Sequence, residues 1–123
     1  KYQLTELPNG GYRQRTRRNV EDSDGTLIVN LGELDGGTLA TQTFAQQAGK
    51  PHLVVQLDDE VTAVAAARVR RMSELFAANV LAWLRARAIK TLNVAGPCES
   101  KRPGIYRLTG ELLYVIDVML YQS

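Results

Sequence analysis

The residues best suited to chemistry in this chain are Gly36-Gly37-Thr38, with Thr41 three positions further on. They lie between an apolar run of strand length and a helix-permissive stretch. Two glycines there let the backbone come close to a ligand, and a helix start offers unpaired N–H groups and the positive end of its dipole. The hydroxyls of Thr38 and Thr41 can add donors. The chemistry implied is the holding of a phosphate or another oxyanion. The same residues also suit a tight turn in which Thr38 merely caps the helix. Neither Gly-Lys-Ser/Thr nor Gly-x-Gly-x-x-Gly occurs, so the two commonest phosphate loops are not used.

A second group follows another apolar run and reads Gly96-Pro97-Cys98-Glu99-Ser100-Lys101-Arg102-Pro103-Gly104. Gly96 again permits close approach, and Ser100, Lys101 and Arg102 can grip an anion from the far side of a cleft. A solvated charged loop has the same composition. Cys98, the single cysteine, suits a soft metal ligand, a redox-sensitive thiol or a small residue tolerated in a loop. Arg13, Arg15, Arg17 and Arg18 form the basic cluster. No aromatic platform interleaves with them, so pairing with Glu21, Asp22 and Asp24 is expected rather than nucleic-acid binding. The lone His52 opens a strand and reads as structural. Asp58-Asp59-Glu60 lacks further spaced oxygen ligands and reads as a helix cap rather than a metal site.

These groups need elements to position them. Residues 12–20 suit a short helix that the 21–25 segment ends. Thr26-Leu27-Ile28-Val29-Asn30-Leu31 is β-branched and apolar, as in a strand buried on both faces. A helix over 39–48 should end at Gly49-Lys50-Pro51, and His52 to Leu57 forms the next strand. From Val61 to Ala88 there is no Gly or Pro, and Val61, Ala65, Val69, Met72, Phe76, Val80 and Trp83 share a helical face. That predicts one long helix, or two with a bend near Ser73. Leu92 to Ala95 is a third strand. The last helix, 104–121, places Ile105, Leu108, Leu112, Val115 and Met119 on one face, with Tyr114, Val118 and Tyr121 on a second. A helix apolar on two faces is expected to pack on the sheet and on a partner subunit.

Strands alternating with helices predict an α/β fold, with a mostly parallel sheet covered on both faces. In such sheets ligands sit beyond the carboxyl ends of the strands, here the loops 32–38, 58–61 and 96–104. Three strands fall below the usual four to six. The polar start, with its Asn9-Gly10-Gly11 turn, offers no clear fourth, so a first βα unit is expected ahead of Lys1. The chain is read as one domain over 1–123. Its 45% apolar and 23% charged residues are those of a globular protein, and a net charge of +2 is too small to attract nucleic acid by itself. One cysteine excludes an internal disulfide or a multi-Cys zinc centre. No apolar run reaches membrane-spanning length and Lys1 to Arg18 lacks a signal-peptide core, so a cytoplasmic location is expected.

The run Arg15-Thr16-x-x-Asn19-Val20-x-Asp22-Ser23-Asp24-Gly25-Thr26 resembles a signature of the molybdenum carrier proteins. So does Tyr2-x-Leu4-Thr5-Glu6. Gly36-Gly37-Thr38-x-x-Thr41, Gly49-Lys50-Pro51, Asn93-Val94-Ala95-Gly96-Pro97 and Ser100-Lys101-x-Pro103-Gly104-Ile105 continue the likeness in order over nearly the whole chain. The resemblance implies a Rossmann-like three-layer sandwich, related to the lysine-decarboxylase-like phosphoribohydrolases. It implies a non-catalytic carrier of the molybdenum cofactor, a pterin with a terminal phosphate, assembled as a homo-oligomer (tetramer or dimer). The anion site would then be Gly36, Gly37, Thr38 and Thr41, bordered by Gly96, Ser100 and Lys101, with Arg15, Asn19 and Asp24 in support.

Two departures stand out. The Gly-Gly-Gln-Thr-Gly turn that opens such carriers is absent from these residues, and segment 61–79 is longer than the family pattern. The alternative reading is a hydrolase of nucleoside 5′-monophosphates, or a nucleotide-sensing module. The related hydrolases carry Pro-Gly-Gly-x-Gly-Thr-x-x-Glu, whose Glu does the acid–base work. Here Thr41 and Gln42 stand near that position, which favours binding over catalysis.

Overall fold

The computed structural model describes residues 2–5, 12–57 and 66–122. In chain order the elements are β1 (Tyr2–Thr5), α1 (Tyr12–Asp22), β2 (Gly25–Leu31), α2 (Gly36–Ala48), β3 (His52–Leu57), α3 (Ala66–Ala86), β4 (Leu92–Ala95) and α4 (Ile105–Gln122). All pairings are parallel, in the order β1-β4-β2-β3. The α/β class is as the alternation predicts.

The connections explain the layers. The chain moves one way across the sheet from β1 to β2 to β3, then back over β2 to β4. Parallel crossovers are right-handed, so reversing direction moves the connecting helix to the opposite face. Helices α1 and α2 pack together on one face, and α3 and α4 on the other. The residues of β2 are shared between the two by strand alternation. Leu27, Val29 and Leu31 join the core beneath α3 and α4, with Val80, Leu84 and Leu112. Thr26 and Asn30 face the other way, toward the smaller cluster of Val20, Phe44 and Ala45. That second interior is notably polar: Thr16, Ser23, Thr26, Asn30, Thr41 and Asn93 are all buried. The Asn93 amide donates to the Thr26 hydroxyl across the β4–β2 pair at 3.4 Å.

Helix α4 shows how the pattern becomes packing. Ile105, Leu108, Leu112, Val115 and Ile116 are each at most 5% exposed, and burying side chains of this size stabilises the fold by about 1.5–3 kcal/mol apiece. Tyr114, Val118 and Tyr121 stand on the outer side.

Several expectations need correction. The polar start does hold a strand: Tyr2–Thr5 pairs with Leu92–Ala95 at the edge of the sheet. Among the described residues the sheet therefore has four strands rather than the three read from the sequence. Four residues with a single aliphatic side chain carry too little periodicity to be read as a strand, yet an edge needs only one partner. The glycine pair is not a turn ahead of α2, because Gly36 and Gly37 already lie in its first turn and Asp35 is the N-cap. Helix α3 runs unbroken past Ser73. The expected turn at Asn9-Gly10-Gly11 and the expected cap and helix start over 58–65 lie outside the described residues.

Candidate functional site

Strand β2 ends at Leu31 and its chain leaves for α2 on one face, while β4 ends at Ala95 and its chain leaves for α4 on the other. Diverging connections from neighbouring strands open a crevice at their carboxyl ends, the switch point of an open α/β sheet. The 32–35 and 96–104 loops border it.

Asp35 organises the first side. Its backbone is extended, at φ −143° and ψ 179°, as an N-cap requires, but its side chain makes no capping bond. The carboxylate turns instead to the second loop, with Lys101 Nζ at 2.8 Å and Arg102 Nη2 at 3.3 Å. The Lys101 hydrogen bond, with the charges of Lys101 and Arg102, holds the Asp35 carboxyl below the usual carboxylate range. Gly36 has φ +53°, and a Cβ there would stand 2.8 Å from Lys101 Nζ. A side chain at position 36 would thus be strained and would displace the ammonium group.

Arg102 ties the loops to the strand. Its Nε donates to Leu31 O at 2.7 Å and its Nη2 to Glu33 O at 3.4 Å. Gly96 brings the backbones of β4 and β2 together, since a Cβ there would lie 2.5 Å from Val29 O. Within the second loop, the Cys98 carbonyl accepts the Lys101 and Arg102 amides at 3.1 and 3.0 Å. Cys98 Sγ lies 3.3 Å from Ser100 Oγ. That contact, helped by the Lys101 backbone, pulls the thiol below its ordinary value.

The two helix starts at the crevice differ. The Glu99 carboxylate accepts the Gly104 and Tyr106 amides at 2.6 and 3.0 Å and so caps α4. These bonds lower its pKa. Helix α2 has no such cap from its own N-cap side chain, which leaves its first-turn amides for solvent or a ligand.

Of the residues singled out in the sequence, Gly36 and Lys101 meet at this crevice; Gly37 and Thr38 follow in the first turn of α2, with Thr38 3% exposed, and Gly96 and Ser100 lie in the 96–104 loop. Thr41 does not present its hydroxyl there: it is fully buried and donates to Gly37 O at 2.9 Å. Asp24 lies at the other end of the sheet, where Oδ2 accepts the Lys90 and Thr91 amides at 2.9 and 2.8 Å. Those amides, Thr91 first, lower its pKa. Arg15 and Asn19 are on α1, and Arg15 lines a cavity of about 360 Å³ with Gln14 and Arg18. Among the described residues, Arg15, Arg17 and Arg18 do not make the expected pairing with Glu21, Asp22 and Asp24. Arg17 instead lies over the Phe44 ring, 4.8 Å from its centroid, and Asp24 is taken by backbone amides. His52 opens β3, away from the crevice. Asp35 was missed, although an Asp directly before a glycine pair at a helix start is a recognisable N-cap signal.

Fold and crevice together define a Rossmann-like α/β architecture with an open crevice at its switch point. The model of the circularly permutated YpsA SLOG family matches residues 1–116, and the chain belongs to that family. It is also similar to a solved protein of Syntrophus aciditrophicus SB named "putative molybdenum carrier protein". The two are 38% identical, with a TM-score of 0.72 over 93% of this chain, which spans 65% of the length of that one. No curated protein matches significantly. Among the described residues, no helix is long and apolar enough to cross a membrane.

Proposed function

We propose that the chain is a non-catalytic carrier that holds the molybdenum cofactor by its terminal phosphate at the β2–β4 crevice. The observation that carries this reading is the uncapped start of α2. Asp35 gives its carboxylate to Lys101 and Arg102 and leaves the amides of Gly36, Gly37 and Thr38 without a side-chain cap. Three amides, the Thr38 hydroxyl and two neighbouring cations form a donor set suited to a phosphate. Asp35 stands in for an anion at Lys101 until a ligand replaces it. When bound, the cofactor would supply a pterin-held molybdenum centre; the chain's own residues bind and orient it by its phosphate. Family membership and the name of the similar protein support the carrier role.

Isothermal titration of the full chain with molybdenum cofactor, and separately with AMP, tests the reading. Cofactor binding that Thr38→Val weakens by about 1–3 kcal/mol is expected, because the substitution removes a buried hydrogen-bonding group. Absence of cofactor binding rejects it. AMP binding alone would favour a nucleotide sensor, and release of free base from AMP would favour the hydrolase.

A further inference from the structure

Helix α1 is charged against its own dipole. Arg13, Arg15, Arg17 and Arg18 fall toward its start, and Glu21 and Asp22 lie in its last turn. Cations are favoured at the closing end of a helix and anions at the opening end, so α1 carries its charge the less stable way round. Arg17 is used within the fold, over the Phe44 ring. Arg15 and Arg18 are not: among the described residues neither has an ion-pair partner. At about 100° per residue, Gln14, Arg15 and Arg18 lie within roughly 100° of one another, opposite Thr16 and Val20. Thr16 and Val20 are buried, whereas Gln14, Arg15 and Arg18 are exposed and line the cavity of about 360 Å³. That face turns away from the sheet and shares no lining residue with the β2–β4 crevice.

We propose that the α1 cavity binds a small phosphate monoester at a second site, separate from the crevice. Side chains three apart on a helix are neighbours, with Cβ atoms about 5–6 Å apart. Two guanidiniums so placed can each fork onto the oxygens of one anion. Gln14, one turn before Arg18, adds an amide donor. A phosphate monoester carries about −1.5 to −2 charges at neutral pH and so matches two guanidiniums, where a carboxylate matches one. The cavity of about 360 Å³ falls in the range of small-molecule sites, about 300–1,000 Å³, which leaves room for the ester's organic group beside the phosphate. The bound anion also supplies the negative charge that the opening half of α1 lacks. Arg15, which the resemblance assigns to the support of the crevice, serves this cavity instead.

Calorimetric titration of Lys101→Ala with AMP and with inorganic phosphate tests this, because that substitution disables the crevice and leaves α1 intact. AMP should still bind, more tightly than inorganic phosphate, and adding Arg15→Gln with Arg18→Gln should weaken it by roughly ten-fold or more. The two arginine substitutions alone should leave the ligand-free Tm unchanged or raised, since both side chains are exposed and oppose the dipole. A lower Tm would make the arginines structural and overturn the proposal. No AMP binding by Lys101→Ala overturns it too, as does AMP binding that the arginine substitutions leave intact or that inorganic phosphate equals. Full binding by Arg15→Lys with Arg18→Lys, which keeps the charge and loses the fork, also overturns it. None of these results depends on whether the crevice takes the molybdenum cofactor.

Discussion

Arg102 and Asp24 perform similar tasks at opposite ends of the sheet, each joining a loop to its neighbour through backbone groups. Arg102 donates to the carbonyls of Leu31 and Glu33 and pairs with Asp35. Arg102→Ala removes these together and leaves the Leu31 carbonyl without its side-chain donor. A loss of about 1–3 kcal/mol is expected, read as a lower urea midpoint. Asp24 carries a pH signature. Its folded pKa lies below the unfolded one because the Thr91 and Lys90 amides favour the charged form. Its contribution is therefore full above the unfolded value of about 4 and is lost as pH falls through the lower folded value. Thermal unfolding of the wild type and Asp24→Asn should differ by a constant amount above about pH 5 and converge in stronger acid. Asp24 was readable only as part of a motif. Its partners lie 66 and 67 positions away, and no local pattern reveals them.

Among the elements, strands and helices with a strong period were legible and those without one were not. Strand β2 and the inner face of α4 follow directly from where their apolar residues recur. Leu112 is 2% exposed, and Leu112→Ala should cost about 2–5 kcal/mol by leaving a cavity between α4 and the sheet. Equilibrium denaturation measures it. Strand β1 shows the opposite case, since its place depends on the edge of β4 rather than on its own composition. Gly96 joins two elements: a Cβ would meet the Val29 carbonyl, which cannot rotate away as a side chain could. Gly96→Ala should push β4 from β2 and destabilise by about 1–3 kcal/mol, again read by denaturation.

At the scale of the molecule, the reversal of direction after β3 matters most. It sends α2 and α4 to opposite faces and so leaves a crevice between β2 and β4, two strands far apart in sequence. The 32–35 and 96–104 loops meet there through one carboxylate and two cations. If this crevice holds a phosphate, Asp35 competes with it. Asp35→Asn should then tighten binding of inorganic phosphate or AMP, whereas Lys101→Ala should weaken it; titration calorimetry distinguishes the two. Weaker binding by Asp35→Asn would show that the carboxylate positions the cations rather than competes for them.

Sequence by itself determined the α/β class, six of the element spans to within three residues and several of the residues around the crevice. Those features follow from local physics: periodic burial, glycine at strand ends and the stopping of α2 at Gly49. Only the tertiary structure decided that Asp35 turns from its helix to Lys101, that Thr41 spends its hydroxyl inside α2 and that Asp24 serves the far end. Each depends on which distant group arrives beside a side chain, and that is set by sheet order and crossover direction rather than by neighbours in the chain.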